Sequence, residues 1–432
     1  MRLTVLLFSI IILLAGCSKM SDYDSEKTEV RPGLEVFLDK FIPLVEGKRV
    51  GLITNPTGVD RNINSIIDLF AAHPEINLVA LYGPEHGVRG NAQAGEYLPF
   101  YFDGKYDLPV FSLYGQSRRP EPEMLKNIDE YMRSFDSEDT EKIPDRSMIT
   151  GIDIMVYDIQ DVGTRIYTYI ATMAYCMQVC GENDIGFIVL DRPNPINGIN
   201  MEGPVLDYPE FSSFVGLYPI PVRHGMTSGE LALLFNDRFL KKKTDLTVIP
   251  MEGWTRSMWY DQTELPWITP SPNMPTLETA VVYPGQVYLE GTNISEGRGT
   301  TRPFELFGAP WIDGYELVRN LNQMDLPGVQ FREAWFTPVF SKYTGELCGG
   351  AQLHIINREL YKPFFTALSI IHAISNMYPS EFTYHPDYFD QIMGTEKIRL
   401  ALEKGEDIVT VVESYEDELR DFREIRKAYL LY

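Results

Sequence analysis

The feature that most restricts this chain is a series of short, almost wholly apolar segments separated by stretches of helical periodicity. Arg49 to Asn55, Leu78 to Tyr82, Leu108 to Leu113, Ile152 to Tyr157 and Ile185 to Leu190 each read as a strand covered on both faces. Between them, Ile63 to Ala72, Glu121 to Phe135 and Tyr169 to Val179 place apolar residues at helical spacing. Strands alternating with helices predict an α/β fold with a Rossmann-like, mostly parallel sheet and helices on both faces. Further on, Thr227-Ser228-Gly229-Glu230 reads as the capped entrance of a helix that continues to Leu240, and Leu246 to Ile249 as another strand. The proline-rich stretch 266–284 reads as a long ordered connection. The texture changes near 285–300. Helical patterns near Tyr315 to Asn322, Pro363 to Ser375 and Glu413 to Lys427 predict a smaller C-terminal α/β subdomain. The expected division is 32–285 for the Rossmann-like catalytic part and 286–432 for a part that closes the cleft.

Charge narrows the partners. The 432 residues include 38 Lys plus Arg and 61 Asp plus Glu, a formal net charge of −23. Such a surface excludes nucleic acid as the main partner, because phosphate binding needs a basic face. Hydrophobic residues make up 44% of the chain, enough for a sizeable core, so disorder cannot be its dominant state.

The first residues read as an address. Met-Arg precedes an apolar run from Leu3 to Leu14, and Leu14-Ala15-Gly16-Cys17 resembles a bacterial lipobox. The run is too short for a comfortable span, which needs about 20 residues. The expectation is a lipoprotein signal peptide over 1–17, lipidation at Cys17 and a polar tether over 18–31. The chain would then be exported and held at the cell envelope by its lipid alone, facing the periplasm or the exterior. Cys176 and Cys180, four apart on a helix, read as buried thiols.

What ends each strand carries the chemistry. The first runs into Asn55-Pro56-Thr57-Gly58, the second into Pro84-Glu85-His86-Gly87, the fourth into Asp158-Ile159-Gln160-Asp161, and the fifth into Asp191-Arg192-Pro193-Asn194. In an open parallel sheet, ligands bind beyond the carboxyl ends of the strands. No Gly-x-Gly-x-x-Gly follows the first strand and there is no P-loop, so no nucleotide cofactor is expected. No histidine pair has metal spacing, so no resident metal is expected either. Glu85 sits in a Pro/Gly-bounded turn that fixes its aim. Apolar walls and the Tyr82 ring would raise its pKa toward that of a general acid. Asp158, Gln160 and Asp161 with Arg165 either hold sugar hydroxyls and a water or simply pair internally. Ser295 to Arg302, with Arg298 and Arg302 among glycines, suits a carboxylate clamp. Tyr167, Tyr169, Trp254, Trp259 and Trp267 offer aromatic faces for sugar stacking, although most aromatics in such a chain are core.

Taken in order, these segments resemble one bacterial family. They are Gly51-Leu52-Ile53-Thr54-Asn55-Pro56-Thr57-Gly58, Gly83-Pro84-Glu85-His86-Gly87-Val88-Arg89-Gly90, Val156 to Arg165, Asp191-Arg192-Pro193-Asn194-Pro195 and Glu290 to Thr300. From about Gly33 onward the chain is similar to the exo-β-N-acetylmuramidases, long catalogued as a domain of unknown function. The resemblance implies a Rossmann-like domain plus a second subdomain with the site between them. It also implies a peptidoglycan-directed hydrolase of cell-wall recycling that releases terminal β-linked N-acetylmuramic acid from the non-reducing end of muropeptides or disaccharides. The family's catalytic glutamate lies in the Pro-Glu-His-Gly motif and falls on Glu85.

The remaining roles are expectations from residue chemistry. Glu85 protonates the glycosidic oxygen, and Asp161 or Glu290 supplies a second charge. Arg298, Arg302, Arg192 or Arg165 receives the lactyl carboxylate of the sugar. Asn55, His86, Asp158, Gln160, Asn194 and Asn293 complete the substrate contacts. Retention, inversion and participation by the substrate's own acetamide stay open. Two other readings compete: a non-catalytic lipoprotein that binds cell-wall sugars, and a metal-dependent hydrolase using His86, Asp158 and Asp161.

Overall fold

The computed structural model describes residues 29–90, 100–115, 118–134 and 151–432. The signal peptide, Cys17 and most of the tether expected from the sequence lie outside the described residues. The chain builds a seven-stranded sheet in the order β3-β4-β2-β1-β5-β6-β9. Its strands are β1 (Arg49–Thr54), β2 (Asn77–Gly83), β3 (Phe100–Phe102), β4 (Pro109–Ser112), β5 (Ile154–Asp158), β6 (Gly186–Leu190) and β9 (Leu246–Ile249). All neighbours run parallel except the edge strand β3, which is antiparallel to β4. The sheet belongs to the Rossmann-like class expected from the alternating pattern.

Side-chain alternation explains why these strands look apolar throughout. Val50, Leu52, Ile154, Val156, Ile188 and Leu190 face one layer, against helices Gly33–Lys40 and Ile66–Ala72. Ile53, Met155, Tyr157, Phe187 and Val189 face the other, against helices Tyr169–Glu182 and Ser228–Arg238. With both faces covered, neither register of the period-2 pattern is polar. Cys176 and Cys180 are buried free thiols in that second layer. Thr227 starts its helix through a full capping box with Glu230.

Two short strands, β7 (Glu202–Val205) and β8 (Pro221–Arg223), pair beside the main sheet. Beyond it lies an antiparallel sheet in the order β10-β12-β11, formed by β10 (Leu306–Ala309), β11 (Val329–Phe336) and β12 (Cys348–Ile355). Helix Gly314–Gln323 packs on it, and helix Pro363–Met377 packs against that helix and against helix Leu277–Gln286.

Several expectations need correction. The helix read over Glu121 to Phe135 is two short ones, Glu123–Lys126 and Ile128–Arg133, because Asn127 leaves helical geometry at φ −133°, ψ 59°. The stretch 266–284 is not all connection. Helix Leu277–Gln286 starts there behind the Thr276 cap and tolerates Pro284 in its last turns. Its Gly285 lets it pack tightly on the next helix, since a Cβ there would lie 2.0 Å from the Pro363 carbonyl oxygen.

The strand order changes direction between β1 and β5, the usual ligand crevice of such sheets. Here the crevice is filled by the chain itself. Thr54 Oγ1 donates to the Asp158 carbonyl (3.0 Å), Thr57 N to Asn55 Oδ1 (3.0 Å), and Gln160 N to Thr57 Oγ1 (2.9 Å). Space for a ligand opens instead past β2, where the sheet meets the C-terminal segments.

Candidate active site

A cavity of about 460 Å³ lies between the exit of β2 and the segments after 280. Glu85, His86 and Tyr114 reach it from the sheet, Tyr167 and Thr168 from the loop after β5, and Tyr283, Glu290, Arg298, Tyr388 and Gln391 from the later chain.

Glu85 sits on a turn with little freedom. Gly83 must be glycine, since a Cβ there would come within 2.9 Å of the Gly87 and Val88 backbone. Gly87 N closes the turn on the Pro84 carbonyl at 3.0 Å, and His86 takes a left-handed φ of 75°, a conformation that costs a non-glycine residue energy. Such a turn holds a carboxyl on target. Tyr82 is not its neighbour in the way expected, because the Tyr82 hydroxyl donates to the Met124 carbonyl in the core (2.7 Å). The ring beside Glu85 is Tyr114, over whose face the Arg118 guanidinium lies. Burial and the Glu85 charge together raise the Tyr114 pKa. His86 Nε2 lies 3.4 Å from Ser271 Oγ.

Glu290 belongs to a 3₁₀ turn, Val287–Gly291, that directly continues helix Leu277–Gln286. It accepts from Arg298 Nη2 at 2.6 Å and from the Tyr388 hydroxyl at 2.9 Å. Burial and the Glu290 charge push the Tyr388 pKa up. Arg298 also faces Glu296, with Nε 3.3 Å from Oε1. Burial alone would lower this guanidinium, but the two carboxylates outweigh it and hold it above its ordinary range. Lys342 braces the group from the β11–β12 connection, donating to the carbonyls of Leu289 (2.8 Å) and Ile294 (2.9 Å) and to Glu296 Oε2 (3.1 Å). Gly299 allows that connection to approach, since a Cβ there would meet Phe340 O at 2.4 Å.

One wall is aromatic. Tyr167 stands edge-on to Tyr169 (4.8 Å between ring centres) and to Tyr283 (5.8 Å). Tyr283 stands edge-on to Phe304 (4.9 Å), over which Arg298 lies. Trp254, Trp259 and Trp267 are packed in cores and take no part.

Of the residues singled out in the sequence, the cavity brings together Glu85, His86, Glu290 and Arg298. The rest are engaged elsewhere. Asp158 and Arg192 form a buried two-bond ion pair. Gln160 Nε2 donates to the Asp161 and Pro193 carbonyls, both at 2.7 Å. Asp161 is buried, accepts from Gly163 N (2.7 Å) and lies 3.6 Å from His224 Nε2, off the cavity lining. Arg165 donates to four carbonyls, two of them Ile392 (3.1 Å) and Met393 (2.6 Å) at the end of helix Pro386–Met393. That helix presents Tyr388 and Gln391, so Arg165 acts on the site by seating it. Asn55 caps its own turn and Asn194 donates to the Met226 carbonyl (2.9 Å). Asn293 clamps the backbone at Glu381 (2.7 Å) and Thr383 (2.9 Å), and the exposed Arg302 pairs with Glu305 (3.2 Å). The metal set His86, Asp158 and Asp161 is not assembled, and no group of three potential ligands occurs among the described residues. Sequence reasoning missed Tyr114, Arg118, Phe214, Tyr283, Tyr388 and Gln391, because no local motif marks them.

Two carboxyl side chains facing one cavity with tyrosine walls define a glycosidase-type site on a parallel α/β scaffold. The comparisons with known proteins give the particular family. The exo-β-N-acetylmuramidase NamZ N-terminal model matches residues 50–139 and 131–278, and the C-terminal model matches 281–432. The chain is 47% identical over 429 residues to the peptidoglycan β-N-acetylmuramidase NamZ of Bacillus subtilis (strain 168), covering 99% of this chain and 97% of that protein. Two crystal structures of DUF1343 family proteins from Bacteroides fragilis NCTC 9343 superpose with TM-scores of 0.82 and 0.70 at 38% and 30% identity, each covering 94% of this chain and 99% of its own. The chain belongs to the exo-β-N-acetylmuramidase family.

Proposed function

We propose that this chain hydrolyses the β-glycosidic bond of a terminal N-acetylmuramic acid at the non-reducing end of peptidoglycan fragments, with Glu85 as proton donor. The observation that carries the assignment is the cavity onto which Glu85 and Glu290 both open between walls of tyrosine. It supports residues 32–285 as the catalytic part and 286–432 as the part closing the cleft, because each contributes one carboxyl. Glu290, rather than the buried Asp161, supplies the second charge. Both of its oxygens are engaged by Arg298 and Tyr388, so it suits electrostatic stabilisation of a developing cation better than nucleophilic attack. The leader sequence supports an exported, lipid-anchored chain. No helix among the described residues is long and apolar enough to cross a membrane.

Incubation of residues 29–432 with a disaccharide bearing a non-reducing β-linked N-acetylmuramic acid is expected to release that sugar, read by mass spectrometry. Binding without any released monosaccharide would favour the sugar-binding lipoprotein instead. Glu290→Gln is expected to lower kcat by about 100-fold with little change in KM, the scale of losing one preorganised charge-stabilising group. Steady-state kinetics on the same substrate checks it, and a loss confined to KM would make Glu290 a ground-state binding residue.

A further inference from the structure

Muramic acid differs from glucosamine by a lactyl ether on O3, whose carboxylate calls for a cation. The arginines first in line are already committed. Arg165 is held by carbonyls, Arg192 by Asp158 and Arg302 by Glu305. Arg298 faces the cavity but sits between Glu290 and Glu296, so its charge is already offset.

Arg118 differs from all four. It lines the same cavity, half-buried, and no carboxylate among the described residues forms an ion pair with it. Its guanidinium lies 4.4 Å from the ring centre of Tyr114 and 5.0 Å from that of Phe214. Phe214 is backed in turn by Tyr175, with ring planes 2° from parallel and 6.2 Å between centres. Stacking of this kind fixes a guanidinium while its in-plane N–H donors stay available for a carboxylate. Tyr114 lies beside Glu85 in the cavity lining as well as under Arg118. The cation therefore stands one tyrosine away from the carboxyl assigned to the glycosidic oxygen. On the sugar, the lactyl-bearing carbon is likewise separated from the glycosidic carbon by a single ring atom.

We propose that Arg118, stacked on Tyr114 and Phe214, receives the lactyl carboxylate and sets the preference for muramic acid over glucosamine. The assignment rests on the muramidase reading and adds its specificity determinant.

The test compares kcat/KM of wild type, Arg118→Ala and Arg118→Lys on two chromogens. One is a β-N-acetylmuramic acid glycoside and the other is the same glycoside with its lactyl acid converted to the methyl amide. Wild type is expected to favour the acid by about 10–100-fold, the value of one charge-assisted contact. Arg118→Ala is expected to bring that ratio near unity by losing the acid substrate, and Arg118→Lys to restore part of it. An unchanged ratio in Arg118→Ala, or an equal fall on both chromogens, would overturn the assignment. Wild type turning over neither chromogen would overturn the muramidase reading and this assignment with it.

Discussion

Glu85→Gln is expected to lower kcat/KM on a disaccharide substrate by about 10²–10⁴-fold, the usual contribution of a positioned general acid. The loss should depend on the leaving group. A sugar departs as a poor alkoxide unless it receives a proton, whereas a dinitrophenolate departs without one. The amide of glutamine keeps the shape and hydrogen bonding of the side chain but delivers no proton. Glu85→Gln should therefore retain much more of its activity on a dinitrophenyl glycoside than on the disaccharide. The turn supports a clean comparison, since Gly83, the Pro84–Gly87 bond and the left-handed His86 fix the backbone independently of the carboxyl. Kinetics of both proteins on both substrates checks the expectation. An equal loss on the two would mean that Glu85 acts by charge or position, and near-normal turnover of the disaccharide would remove it from the chemistry.

The sheet was legible because a strand covered on both faces carries apolar side chains at every position. Val50, Leu52 and Ile53, or Ile154 to Tyr157, can hardly be anything else in segments so short. The C-terminal sheet was less legible although β11 alternates buried and exposed residues along Val329–Phe336, because Arg332 and Glu333 interrupt the apolar run. Helix Leu277–Gln286 was hidden by Pro284 and by the prolines that precede it, and only its packing on helix Pro363–Met377 shows why it forms. Within the site, local motifs sufficed for Glu85 and for the Glu290–Arg298 segment. They could not distinguish a polar residue facing substrate from one facing a partner inside the protein. Asp158, Gln160, Arg165 and Arg192 have the right types at strand exits, yet these partners lie 33 to 228 positions away. Tyr388 and Gln391 reach the cavity from a helix that sequence gives no reason to bring there.

Arg192→Met is expected to cost about 3–5 kcal/mol of stability, because it strands a carboxylate that is wholly buried. Asp158 is 0% exposed and Arg192 4%, with Arg192 Nη2 at 2.8 Å from Asp158 Oδ2 and at 2.9 Å from the Val59 carbonyl. Burial alone would lower the guanidinium pKa, but the Asp158 charge outweighs it and holds Arg192 above its ordinary range. Burial is the largest influence on Asp158 and raises its pKa even with Arg192 pulling it down, so removing the guanidinium raises it further. A carboxyl raised on folding loses stability as pH climbs past its unfolded pKa. The deficit of Arg192→Met should therefore be largest near neutral pH and shrink toward pH 4. Adding Asp158→Leu should recover much of it, since an apolar pair of similar volume avoids the stranded charge. Urea denaturation of the single and double variants across that pH range checks all three statements. A single variant within about 1 kcal/mol of wild type would show that the pair is not what holds the exits of β5 and β6 together. The outcome also tests the substrate-binding role that the sequence suggested for Arg192. A substrate-binding arginine, once removed, costs turnover and spares the fold, whereas this one should cost the fold first.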